Sequence, residues 1–217
     1  SIYQDVHSNL WIGTNGAGVY KFNGQSFEQH LSDVGMFYED GQQHNIVLTI
    51  TDDPSGNIWF SSLSHGGVSK FDGEKFTHYV SELSDDFVRC VYCDKQGTIW
   101  VGTHGNHNGG LDRFNGTSFE TFYLVDDGFN HNNVFNVFES SDATLWIASG
   151  TSLLSTFDGE QFIPFKTNTG ETFDKITFVV EDGENNIWFG NPHGLWKFDG
   201  STVCLLYTSP SPRDRSL

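Results

Sequence analysis

Positive charge is what this sequence has least of. Lysine and arginine number 11 against 28 aspartates and glutamates, a net charge of −17 over 217 residues. Nucleic acid and anionic membrane both need a basic face, so neither is expected as a partner. No apolar run reaches the roughly 18 residues that cross a bilayer as a helix, so no membrane contact is expected of this chain. Helical periodicity is missing throughout, which excludes helical repeats. There is no Gly-x-Ser-x-Gly turn, no phosphate-cradling loop and no phosphotransfer motif, so no catalytic residue and no cofactor is assigned. Cysteine occurs three times. Cys90 and Cys93 form a Cys-x-x-Cys, yet they lie in Phe87–Cys93, which reads as a strand. Positions three apart on a strand point to opposite faces, so a shared metal or disulfide is not expected. No leader is visible either. Ser1 already sits inside the repeat pattern, so the sequence is read as starting within a longer protein.

What the chain does have is aromatic residues, 15% of the total, and 24 glycines. They recur in a fixed phrase. Tryptophans 11, 59, 100, 146 and 188 are spaced by 48, 41, 46 and 42 residues. Six before each stands Asp5, Asp53, Asp94, Ser140 or Asp182, a turn former. A small residue follows two after each Trp: Gly13, Ser61, Gly102, Ala148 and Gly190. It shares the Trp face and permits close approach of another sheet. Each copy then reaches Phe-Asp/Asn-Gly, as in Phe22-Asn23-Gly24 and Phe71-Asp72-Gly73, a hairpin signal for which a type I′ turn is expected. A fourth strand is expected three residues past that glycine, at Phe27, Phe76, Phe119 and Phe162, with Val203 in the last copy.

Each unit is therefore a four-stranded antiparallel meander. One such sheet cannot bury both faces, and stacking it on the next copy hides the aromatic residues. Each removes on the order of 150–250 Å² from water, several kcal/mol at about 25 cal/mol/Å². The predicted fold is an all-β propeller with five visible blades at approximately 1–31, 45–80, 86–124, 132–165 and 174–203, the last incomplete. Residues 204–217 match a translated transposase-type sequencing adapter and are set aside as non-native, so the propeller is assigned to 1–203.

The turns joining strands one to two and three to four share a bottom face and are short and uniform. The other two loop types share the top and vary, and variable loops on a rigid scaffold are where function concentrates. Six of nine histidines fall there. The candidate ligand-binding residues are Tyr38, His44, His65, His104, His107, Asn108, His131 and His193. His104-x-x-His107 lacks a Cys/His partner at zinc spacing, so no metal is assigned.

Asp94–Thr103, Gly109–Asn115, Gly66–Asp72 and Gly194–Asp199 together resemble the two-component regulator propeller family. Copy four departs most, with Ser140 for Asp and no double glycine in Thr151–Thr156. The resemblance implies a fragment of a seven-bladed ring. It implies the periplasmic, ligand-sensing region of a membrane-bound hybrid histidine kinase, recognising a glycan or another small polar ligand. The full-length protein would act as a homodimer, with kinase chemistry outside this chain. The alternatives are a secreted propeller lyase or hydrolase with a metal-dependent central site, and a propeller adhesin or interaction scaffold.

Overall fold

A computed structural model of the chain describes residues 1–32, 45–105, 109–123 and 133–208. Five four-stranded antiparallel sheets follow one another in chain order, and no described residue is helical. Blade 1 is β1 (Ile2–Gln4), β2 (Leu10–Gly13), β3 (Val19–Phe22) and β4 (Phe27–His30). Blade 2 is β5 (Val47–Asp52), β6 (Ile58–Ser62), β7 (Val68–Phe71) and β8 (Phe76–Tyr79). Blade 3 is β9 (Val88–Cys93), β10 (Ile99–Thr103), β11 (Leu111–Phe114) and β12 (Phe119–Phe122). Blade 4 is β13 (Val134–Glu139), β14 (Leu145–Ser149), β15 (Ser155–Phe157) and β16 (Phe162–Pro164). Blade 5 is β17 (Phe178–Glu181), β18 (Ile187–Asn191), β19 (Gly194–Phe198) and β20 (Val203–Thr208). The first strands contact one another from blade to blade, so they form the inner wall, and the fourth strands lie outside.

The turn before each Trp is built around its aspartate. Asp53 Oδ1 accepts the backbone N–H of Ser55 at 2.9 Å and of Asn57 at 3.1 Å. Its Oδ2 accepts the indole N–H of Trp59 at 2.9 Å. The same indole bond recurs from Trp11 to Asp5 at 2.8 Å, Trp100 to Asp94 at 2.8 Å and Trp188 to Asp182 at 2.7 Å. A cation on the third strand, paired in register with Trp, lies over the ring. Lys21, Lys70, Arg113 and Lys197 stand 5.2, 5.5, 5.8 and 5.7 Å from the centroids. The indole thus donates to an anion at its edge and faces a cation, an arrangement its quadrupole favours. Copy four loses both charges together. Ser140 accepts the indole N–H of Trp146 at 3.1 Å, and Thr156 occupies the cation position. Ser140 in turn donates to Asp142 at 2.6 Å, and Asp142 accepts the Thr144 N–H at 3.1 Å. The carboxylate has moved two residues along the same turn.

Four apolar clusters fill the four seams. Trp11 packs with Val47, Ile50 and Phe60 of blade 2. Trp59 packs with Val88, Val91 and Ile99 of blade 3, Trp100 with Val134, Val137 and Ile147 of blade 4, and Trp146 with Ile176, Val179 and Phe189 of blade 5. Trp188 has no such neighbour among the described residues and is half-buried. The small residue after Trp acts as foreseen. A Cβ on Gly102 would stand 2.6 Å from Val134 Cγ1 of the next blade, and one on Gly13 would stand 2.7 Å from the Val47 carbonyl. Cys90 and Cys93 are both free and face opposite seams, with Cys90 in the cluster toward blade 4 and Cys93 against the cluster toward blade 2.

β20 pairs with β19 from Val203↔Phe198 to Thr208↔Gly194, and every residue of it after Val203 comes from the tail set aside above as non-native. Val203 packs on the seam cluster, but Leu205 and Leu206 are 52% and 54% exposed. This strand is therefore held by backbone pairing more than by a buried face. One expectation is corrected, that of a type I′ turn at the hairpins. Phe22 pairs with Phe27, so four residues connect the strands, and only the glycine has positive φ, 93° at Gly24 and 99° at Gly73. The preceding Asn or Asp need not be left-handed, because its Oδ1 caps two amides. Asn23 takes Gln25 N–H at 2.9 Å and Ser26 N–H at 3.0 Å.

Candidate functional site

The inner wall presents its polar and aromatic side chains at the top of blades 2, 3 and 4. After β6 the chain turns at His65, whose φ of 63° is unusual for a residue with a Cβ. That turn sends the imidazole across the seam to blade 3. His65 Nδ1 lies 3.1 and 3.2 Å from the two Asp86 carboxylate oxygens, and its ring meets Phe87 edge-on at 4.0 Å. Phe87 is fixed from both sides of its peptide. Its N–H donates to Asp85 at 3.0 Å, and its carbonyl accepts the His104 N–H at 2.8 Å. The His104 ring lies 5.5 Å from Phe135 of blade 4. The guanidinium of Arg89, on β9, covers Phe135 at 4.2 Å. Gly150 lets Phe135 lie close, since a Cβ there would fall 2.5 Å from the ring.

This rim joins three blades through two imidazoles, a guanidinium, a carboxylate and two partly exposed aromatic rings. It can offer hydrogen bonds of both senses beside apolar faces. A buried carboxylate supports it from behind. Asp112 accepts Ser84 Oγ at 2.8 Å and Thr121 Oγ1 at 2.5 Å, which straps the connection before β9 onto blade 3. Burial pushes the Asp112 carboxyl up despite these hydrogen bonds.

Of the residues singled out in the sequence, His65 and His104 meet at this rim. His193 stands apart in the tight turn between β18 and β19, exposed, with its N–H donated to Asn191 Oδ1 at 2.8 Å. Tyr38, His44, His107, Asn108 and His131 lie outside the described residues. Sequence reasoning passed over Asp86, Phe87, Arg89 and Phe135. Arg89 carried a usable signal, since its counterparts eleven before Trp are Leu48, Phe135 and Thr177. Among the described residues no group of three His, Cys, Asp or Glu side chains is placed to hold a metal.

A cleft of about 720 Å³ lies elsewhere, at the base of the seam between blades 2 and 3. Pro54, Ser55 and Lys70 line one side, and Gln96, Thr98 and Asn115 the other.

The profile of the family described as "Two component regulator propeller" matches residues 82–105. That stretch runs from the strap before β9, through Asp86, Phe87, Arg89 and Trp100, to His104. The match falls on one copy of the repeat, so over those residues the chain is similar to that family. Among solved structures, the extracellular domain of a B. thetaiotaomicron protein described as a hybrid two component system superposes with a TM-score of 0.75 at 24% identity. The match covers 95% of this chain and 28% of that one, so this chain spans little more than a quarter of that neighbour. A catalytically inactive virginiamycin B lyase from Staphylococcus aureus, solved with quinupristin, gives 0.68 at 11% identity over 94% of this chain and 68% of the lyase. PorZ, a surface component of the type-IX secretion system of Porphyromonas gingivalis, gives 0.67 at 15% identity over 96% and 33%. These likenesses show the propeller fold. Curated protein sequences give no match.

Proposed function

We propose that this chain is part of the extracytoplasmic, ligand-sensing propeller of a membrane-bound two-component regulator. Its ligand is a glycan or another small polar molecule held at the rim of blades 2–4. The observation that carries this reading is the family match at residues 82–105, which coincides with the stretch supplying Asp86, Phe87, Arg89 and His104. The likeness to the extracellular domain of a hybrid two component system supports it. In this reading the chain binds and does not catalyse, the compartment is the periplasm, the full-length protein is a homodimer, and phosphotransfer belongs to other parts of the protein. Partly exposed rings beside imidazole and guanidinium suit a sugar, whose C–H faces lie on aromatics while its hydroxyls take the polar groups.

The test is a calorimetric titration with maltose, cellobiose, lactose and an unsaturated chondroitin disaccharide, on the wild type and on Arg89→Gln and Phe135→Ala. Binding of at least one sugar, weakened about tenfold or more in both variants, is expected. No heat with any of the four, or heat unchanged in the variants, overturns the rim reading. The lyase alternative rests on the fold alone, because the lyase likeness is only 11% identical.

A further inference from the structure

Three of the four seams are tied at their base by the same device. The residue seven before Trp in the later blade is a carboxylate. It accepts the backbone N–H that follows the turn residue of the earlier blade. Asp52 takes the Val6 N–H at 3.2 Å, Glu139 takes the Lys95 N–H at 2.6 Å and Glu181 takes the Ser141 N–H at 2.8 Å. Tyrosine reinforces two of them. Tyr3 donates its hydroxyl to Asp52 at 2.6 Å, and the Tyr92 hydroxyl accepts the Glu139 N–H at 3.1 Å.

The seam between blades 2 and 3 lacks every part of this latch. The donor position is Pro54, which has no N–H. The carboxylate position is Cys93, whose thiol only meets the neighbouring Asp94 carbonyl at 3.6 Å. The tyrosine position is Thr51. Donor and acceptor are missing together, and the cleft of about 720 Å³ opens at this base. The upper edge of the same seam is tied well. Gly67 N–H donates to the Asp86 carbonyl at 3.0 Å, and His65 reaches Asp86. Midway, Val91 N–H donates to Thr49 Oγ1 at 2.8 Å.

We propose that this seam is the joint of the array. Blades 2 and 3 hinge about the tied upper edge and part at the unlatched base. The rim straddles the same hinge, with His65 on one blade and Phe87 and Arg89 on the other. A ligand bound there sets the hinge angle, a consequence that rests on the rim reading, whereas the joint itself does not.

Val91, Val137 and Val179 occupy equivalent positions, and Val179 N–H crosses the seam between blades 4 and 5 to Asn136 Oδ1 at 2.9 Å. Native-state hydrogen exchange at these amides therefore reports opening seam by seam. Pro54→Ala with Cys93→Gln supplies both halves of a latch. Glutamine is chosen because the carboxylates of Asp94, Asp53, Asp52 and Glu139 already crowd position 93. A net neutral hydrogen bond corresponds to about a three- to tenfold effect. Val91 exchange is expected to slow by that factor in the double variant, with Val179 unchanged and each single variant within about twofold of wild type. The converse variant, Glu139→Cys, removes the latch between blades 3 and 4 and is expected to speed Val137 exchange by a similar factor while sparing Val91. It answers the question even where the double variant folds poorly. Equal exchange at Val91 in wild type and folded double variant, or no acceleration at Val137 in Glu139→Cys, overturns the joint. Failure here leaves the rim titration untouched, and failure of that titration leaves the joint standing.

Discussion

Replacing Asp94 tests whether the turn aspartate is the electrostatic anchor of each blade. In Asp94→Ala the indole N–H of buried Trp100 loses its acceptor at 2.8 Å, and the Thr98 N–H loses its own at 2.8 Å. The Gln96 N–H is exposed and turns to water. The buried indole left without an acceptor costs about 1–3 kcal/mol and the half-buried Thr98 N–H beside the cleft adds less, so the loss should be about 1–4 kcal/mol. Copy four supplies the repair. Asp94→Ser with Gln96→Asp reproduces Ser140 and Asp142, in which the serine accepts the indole N–H and donates its own O–H to the displaced carboxylate. That double variant should return to within about 1 kcal/mol of wild type, with Asp94→Ser alone lying between. Urea unfolding followed by tryptophan fluorescence measures it, the midpoints being compared at constant slope. An alanine variant that loses less than about 1 kcal/mol, or a double variant no better than Asp94→Ser, refutes the anchor.

Gly102→Ala places a methyl 2.5 Å from Cys90 Sγ and 2.6 Å from Val134 Cγ1, so it should cost about 1–3 kcal/mol in thermal unfolding, and adding Val134→Ala should recover part of that. Burial of His30 against Trp11, Phe71 and Phe76 lowers its pKa. The unfolded chain therefore binds its proton more readily, and stability should fall as pH drops below about 6.5, a loss that His30→Phe abolishes in urea titrations at pH 7 and 5.5. At Asp5 and Asp53 burial pushes the carboxyl up, but hydrogen bonds from Asn and Trp outweigh it and leave both pKa values lowered. At Asp182 the bonds from Trp188 and Asn186 lower it outright. Their stabilisation is present above about pH 4 and is lost as pH falls further, so the unfolding midpoint should drop steeply between about pH 4 and 2. Ala143 holds a φ of 66° where copies two and three have glycine, so Ala143→Gly should be neutral to slightly stabilising, unlike an ordinary strand glycine.

The fold was legible because its signals are local and repeated. Five tryptophans at near-constant spacing, each followed by a small residue and a Phe-Asp/Asn-Gly, fix strand number, order and facing. The indole–carboxylate bond was half visible. Asp and Trp are six apart in four of the five copies, but one was read as a turn former and the other as packing. What linked them is the joint change in copy four, Ser140 with Thr156, which has meaning only once β14 and β15 are known to pair. The rim was legible only as a bias of histidine toward top loops. Arg89 and Phe135 sit on strands and Phe87 just ahead of one, and their meeting depends on how successive first strands stack. The seam latches were invisible for the same reason, since Glu139 and Lys95 are 44 residues apart.

The latches also have a direction. In each, the earlier blade supplies the amide (Val6, Lys95, Ser141) and the later one the carboxylate. A chain emerging from the ribosome therefore leaves blades 1, 3 and 4 each with an open donor until the next blade arrives. Assembly of this kind is vectorial, with blades 1, 3 and 4 each acting as template for the blade that follows. Nascent chains arrested after residue 123 should accordingly protect the Val6 amide fully while the Lys95 amide still exchanges freely. Equal protection of the two would argue against templated assembly.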